Sequence, residues 1–239
     1  MQLRPMISLR RCLAFAVTLA ALPVRGAEPV RVACLGDSIT AGAKVNAATE
    51  SYPAHLQRML GAGFVVKNLG IGGASMWHGG KPNAAQELPG ATSFAPQIAI
   101  VMFGINDTRS RDVDYWSHFP EFEADATKVL DTLLALPTKP RVFFCTPTPN
   151  FANLPGMPEA RSANVTERLP RLAQVREKVR EIAKTYAARG VQLVDLHAPL
   201  EKRPELFDPD GSHLKPDGYK LLAETLRPLV TEAAAKAGK

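Results

Sequence analysis

Five residues of this chain, of five types, stand at positions where they could support nucleophilic catalysis. Ser38 lies in "VRVACLGDSITAG" (30–42), where an apolar, β-favouring run gives way to a small acid and small hydroxyls. A sheet holds the loops at its strand ends still, so a hydroxyl there is well placed for chemistry. A serine nucleophile needs a base to take its proton, an acid to orient that base, and donors for the oxyanion that develops. "DPDGSHLKPDGY" supplies Asp210 and His213, whose spacing lets the carboxylate reach the imidazole on a turn or a first helical turn. Gly73, after the second apolar run, offers an unobstructed backbone N–H. Asn106, after the third, offers a side-chain amide.

These residues need a frame. Five short apolar runs recur, "VRVACL" (30–35), "FVVKN" (64–68), "IAIVMF" (98–103), "RVFFCT" (141–146) and "VQLVDL" (191–196). Helical periodicity fills most of the gaps. "YPAHLQRMLG" opens with Pro53 and ends at Gly61, and "FEADATKVLDTLLAL" sets Phe122, Ala126, Val129, Leu130, Leu133 and Leu134 on one face. "LAQVREKVREIAKTYAARG" is amphipathic and stops at Gly190; "PDGYKLLAETLRPLVTEAAAKAG" runs to the C-terminus, with Pro228 as a point of kink or break. Strands alternating with helices predict a parallel sheet covered on both faces. Two stretches read as long loops, 70–97 and the proline-rich 146–166, and long loops in a compact domain are usually functional. The polar and glycine-rich segments "GDSIT", "NLGIGGAS", "FGINDT", "TPTPN" and "DLHAPL" all follow strands, where ligands sit in such sheets.

The four blocks "GDSIT", "NLGIGG", "GIND" and "DGSH", in that order, resemble those of the SGNH hydrolases of the GDSL esterase family, over roughly residues 30–230. The resemblance implies a three-layer α/β/α sandwich with a five-stranded parallel sheet, flavodoxin-like in plan. It implies ester hydrolysis through an acyl-serine intermediate, with no cofactor. Ser38 would be the nucleophile, His213 the base and Asp210 its orienting acid. The oxyanion hole would comprise the N–H of Ser38, the N–H of Gly73 and the Asn106 amide, with Gly70 a rival to Gly73. The family includes sugar deacetylases, lysophospholipases and acyl-CoA thioesterases, which the blocks do not separate. The sequence reading favours short-chain, acetyl esters of carbohydrates, with a non-catalytic carbohydrate-binding module as a rival from another class. Trp77, His78, Asn83, Tyr115, Trp116 and Asn150 are an aromatic–polar mix suited to sugars, and Trp77 and His78 are candidates to line the substrate site. Leu69, Ile71, Met76 and Met157 are the residues that could instead assemble an acyl groove.

Other patterns have simpler readings. Asp37 reads as a turn residue bonding backbone amides. "DLH" places Asp195 and His197 as a rival acid–base pair, though the spacing of Asp210 and His213 fits the family better. "GIGGAS" follows the second strand and lacks the last glycine of a dinucleotide loop. No HExxH motif or Cys/His cluster points to a metal. Asn106 and Asn164 both fall in glycosylation sequons; Asn106 belongs to the site and Asn164 reads as a loop residue.

The 239 residues carry a formal charge of +6. Residues 1–26 hold Arg4, Arg10, Arg11 and Arg25 and no acids, so the remainder has 25 basic against 23 acidic residues, a net of +2. That is no electrostatic footprint for nucleic acid. The positive start, the 13-residue apolar run "CLAFAVTLAALPV" and the small residues near Gly26 read as an export signal, too short to span a bilayer comfortably. The expectation is a periplasmic or secreted protein without stable membrane insertion, its one domain covering 27–239. Cys34 and Cys145, on first and fourth strands separated by the third, would lie about 9–10 Å apart, beyond disulfide reach. Both are expected to be buried free thiols.

Overall fold

The computed structural model describes residues 28–237. Five strands, β1 (Val30–Gly36), β2 (Phe64–Asn68), β3 (Ile98–Met102), β4 (Arg141–Cys145) and β5 (Val191–Val194), form one parallel sheet in the order β2-β1-β3-β4-β5. The sheet and its helices make the α/β/α arrangement expected from the alternating pattern. Central β3 is buried at every residue, as a parallel strand covered on both faces must be.

Among the described residues the α-helices are α1 (Ser38–Ala41), α2 (Ala47–Glu50), α3 (Tyr52–Leu60), α4 (Leu88–Phe94), α5 (Phe122–Leu134), α6 (Glu159–Tyr186) and α7 (Pro216–Ala237). Strand alternation divides the core. Val32, Cys34, Ile98 and Ile100 pack with Leu56 of α3 and Tyr219, Leu222 and Leu226 of α7. Ala33, Leu35, Ala99 and Val101 pack on the opposite face with Ala91 of α4, Ala126 and Leu130 of α5, and Val175 and Val179 of α6. Cys34 and Cys145 are buried and free, and burial pushes the Cys34 thiol up to about 12.

The two long loops are shorter than the sequence indicates. The stretch 70–97 contains α4, whose Pro89 and Gly90 hide it from a propensity reading; Pro is tolerated in the first helical turn. The second correction matters more for the site. Helix α6 begins at Glu159, immediately after the last of four prolines, and runs through Pro170. Its first turns show no continuous apolar stripe because they cover the strand ends rather than the core. Pro228 does not interrupt α7. Among the described residues no helix is long and apolar enough to cross a membrane. The export signal read over 1–26, with its cleavage point, lies outside the described residues.

Candidate active site

Ser38 is the first residue of α1, at the end of β1. Asp37 caps that helix: its Oδ1 accepts the Ile39 N–H at 2.9 Å. The acid beside the serine is thus structural, and burial, partly offset by the Ile39 N–H, pushes its carboxyl up to about 6.

His213 reaches Ser38 from the turn before α7. Its Nε2 lies 2.9 Å from Ser38 Oγ, and its Nδ1 lies 2.6 Å from Asp210 Oδ2. Asp210 Oδ1 accepts the backbone N–H groups of Ser212 and His213, both at 2.9 Å. Burial opposes ionisation of Asp210. The hydrogen bonds from the His213 ring and from the two backbone N–H groups outweigh it and hold the carboxyl well below the usual carboxylate range. An ionised carboxylate can only accept, so Nδ1 carries the ring proton and Nε2 is free to accept from the serine hydroxyl.

The donor candidates follow β2 and β3. Asn106 opens the turn Asn106–Thr108 after β3, and its Nδ2 donates to Ala74 O at 3.0 Å. One amide hydrogen is spent on orientation, and the other remains for a ligand. The neighbouring Asp107 is buried and accepts the Met76 and Trp77 N–H groups at 3.0 and 2.9 Å, which ties the second loop to the third. Burial pushes its carboxyl up to about 6 against those two bonds. Gly73 has φ +82°, a conformation that favours glycine, and a Cβ there would only touch Pro82 Cδ at 3.8 Å. Its rival Gly70 has another role: a Cβ there would fall 2.5 Å from the Ala41 nitrogen, so Gly70 lets the second loop pass close to α1.

Ser38, Gly73, Asn106 and His213 all line one cleft of about 710 Å³, within the usual range for a small-ligand site. A serine, an oriented base and candidate donors around one cleft are the parts an acyl-transfer centre needs. The profile of the GDSL-like Lipase/Acylhydrolase family matches residues 34–221, which span all these groups. The chain belongs to that family. Among relatives, the acetylxylan esterase of Xylanibacter ruminicola is 30% identical over 225 residues, covering 87% of this chain and 44% of that protein. This chain therefore spans less than half the length of that relative. Among solved structures, a carbohydrate acetylesterase family member from Sinorhizobium meliloti superposes with a TM-score of 0.63 at 21% identity, covering 85% of this chain and 98% of that one. The native aryl esterase of M. smegmatis gives 0.62 at 21% identity, covering 85% and 99%. These two likenesses establish the shared fold.

The structure does not bring every predicted residue of this acylhydrolase-family chain to the cleft. Trp77 stacks on His118 at 3.7 Å between centroids and donates its Nε1–H to Glu121. His78 is exposed and pairs with Asp125 at 2.8 Å. Neither lines the cleft. Asn83 caps the turn Ala84–Glu87, Tyr115 is buried, Trp116 stacks on Phe119, and Asn150 is buried away from the cleft. Apart from Asn150, whose buried side-chain amide has no hydrogen-bond partner among the described residues, the aromatic–polar mix that suggested sugars is spent on holding loops together. The rival groove residues fare no better: Met76 is buried, and Leu69, Ile71 and Met157 do not line the cleft. Asp195 binds the backbone N–H of His197 and not its ring, so "DLH" forms no acid–base pair.

His78, Glu121 and Asp125 do offer three ligand atoms within 4.8 Å of one another. Lys128 and the His78 backbone N–H already occupy Asp125, and Trp77 occupies Glu121, so the cluster is internally satisfied. What the sequence reading missed is the wall built by α6. Arg161, Asn164 and Arg168 line the cleft from positions i, i+3 and i+7, and Asn164 is helical rather than a loop residue. That spacing was visible in "ARSANVTERLPR", hidden by Pro170 and by the absence of an apolar stripe.

Proposed function

We propose that this chain is a serine esterase that removes short acyl groups, acetyl above all, from carbohydrates through an acyl-serine intermediate. The observation that carries the reading is the continuous relay from Asp210 through His213 to Ser38 Oγ, with contacts of 2.6 and 2.9 Å. In this mechanism His213 Nε2 takes the Ser38 proton as Oγ attacks the ester carbonyl. The oxyanion is met by the Ser38 and Gly73 N–H groups and the free Asn106 amide hydrogen. As the first residue of α1, Ser38 has an N–H without a helical partner. His213 then protonates the departing alcohol, leaving the acyl group on Oγ. Water, deprotonated by the same nitrogen, releases the acid and restores the serine.

A short acyl group suits the walls beside Ser38. The apolar contribution there comes from Ile39, Ile105 and Ala160, while the rest of the cleft is glycine, polar groups and arginine. A long chain needs a continuous apolar groove, in which each buried methylene contributes about 0.8 kcal/mol. The likeness to an acetylxylan esterase supports a carbohydrate alcohol. The export signal read at the N-terminus fits an extracellular polymer better than acyl-CoA.

The test is kcat/KM across p-nitrophenyl esters of two to eight carbons, beside acetate release from an acetylated glycan. The expected order is acetyl above butyryl and far above octanoyl, with acetate released. A maximum at eight carbons without acetate release would replace this reading with a lysophospholipase or thioesterase. An absence of all ester hydrolysis would leave a binding module.

A further inference from the structure

The cleft wall carries more positive charge than the family's chemistry requires. Four arginines and one acid line the cleft: Arg109, Arg111, Arg161, Arg168 and Asp112. Arg109 is neutralised by Asp112, and Arg111 by Glu167, which also pairs with Arg171. The other two have no carboxylate within ion-pair distance among the described residues. Arg161 donates only to neutral acceptors, Asp210 O at 2.8 Å, Ser212 Oγ at 2.6 Å and Asn164 Oδ1 at 3.3 Å.

Arg168 is more telling, because it is only 6% exposed. Its Nε donates to Thr108 Oγ1 at 2.8 Å and its Nη2 to Ile105 O at 2.6 Å. Among the described residues Nη1 has no partner. Burying a guanidinium without an acid is costly unless something else supplies the negative charge. Burial, with the charges of Arg161 and Arg109, brings Arg168 down to about 10, which still leaves it a cation at neutral pH. Asp37 attracts it from beyond ion-pair distance, and burial holds that acid partly protonated near pH 6.

The two unpaired charges face the cleft from one helix, seven residues and about 10 Å of rise apart. Arg161 grips the turn that carries His213, and Arg168 grips the turn that carries Asn106. An anion between them would sit beside the reacting ester and would supply the counter-charge the wall lacks. Guanidinium matches a carboxylate with paired N–H groups. A neutral acetylated sugar has nothing to offer these groups beyond hydroxyls.

We propose that the substrate's sugar portion bears a carboxylate, as an acetylated uronate-containing glycan does, and that Arg161 and Arg168 bind it. This rests on the carbohydrate-esterase reading above. The test compares two O-acetylated methyl glycosides with acetyl on the same hydroxyl, one a glucuronoside and the other the glucoside, identical except for the carboxylate. The expected kcat/KM for the glucuronoside is at least tenfold higher, mainly through KM, and the advantage shrinks as salt screens the charges. In Arg161→Gln the ratio between the two substrates should collapse toward one, whatever the variant's absolute rate. A purely structural role for Arg161 would lower both rates and leave the ratio intact, which would overturn its part in carboxylate binding. Equal kcat/KM for the two sugars on the unsubstituted protein would overturn the proposal while leaving the carbohydrate reading standing. Release of acetate from p-nitrophenyl acetate but from neither sugar would overturn both.

Discussion

The molecule holds two histidine–aspartate pairs of nearly equal length. His213 Nδ1 lies 2.6 Å from Asp210, and His78 Nδ1 lies 2.8 Å from Asp125. Each aspartate also accepts a backbone N–H from its own histidine. The difference is at the far side of the ring and around the acid. His213 Nε2 meets Ser38 Oγ in a cleft that Gly73 and Asn106 also line. His78 is exposed, its aspartate takes a direct hydrogen bond from Lys128 at 3.1 Å where Asp210 has Lys44 only at 4.0 Å, and Trp77 joins the cluster through Glu121. An oriented imidazole is thus a common way to fasten a loop. It becomes chemical machinery only where its second nitrogen finds a hydroxyl and where donors wait for the charge that follows.

This contrast can be broken by experiment. His213→Ala should lower ester turnover by on the order of 10⁴–10⁶, the scale of lesions in a nucleophile–base unit. In the unsubstituted protein, Asp210 should add no step to the pH profile of activity in the moderately acidic range, since its carboxyl ionises well below it. Activity of the variant within tenfold of the parent would make the first pair as structural as the second.

Asn106→Ala should sharpen what the donors contribute. A loss of about 10²–10³ in kcat is expected, with KM little changed, because the bond strengthens as charge develops. A rise in KM alone would move Asn106 from charge stabilisation to substrate binding. The smallest effect on catalysis should come from His78→Ala. Turnover should stay within about twofold, while the melting temperature falls by roughly 2–4 °C, as expected for loss of about 1 kcal/mol from a charge-assisted bond at a partly exposed site. An inactive but folded His78 variant would erase the distinction between the pairs.

The candidate site was more legible than the walls around it. Ser38, Gly73, Asn106, Asp210 and His213 announce themselves because acyl-transfer chemistry demands particular residue types at strand ends, and these segments contain few alternatives. Trp77 and His78 misled because aromatic and polar groups serve loop packing as readily as ligand binding. Composition cannot reveal that His118 lies 3.7 Å from Trp77. The arginine wall was missed because Pro170 reads as a stop. In the folded chain α6 continues through it to Tyr186, packing Val175 and Val179 under the sheet.

The sequence alone determined the alternation of strands and helices, the buried character of β3 and of Cys34 and Cys145, and the order of the chemical blocks. Those depend on local hydrophobic period and on residue identity, which a linear chain displays. The tertiary structure decided the rest. It set His213 against Ser38 across 175 positions of separation, left Asp125 to serve a loop, and turned the polar start of α6 toward the cleft. Those outcomes depend on which surfaces meet, and a guanidinium becomes an unpaired charge only when the fold decides which acids lie beyond its reach.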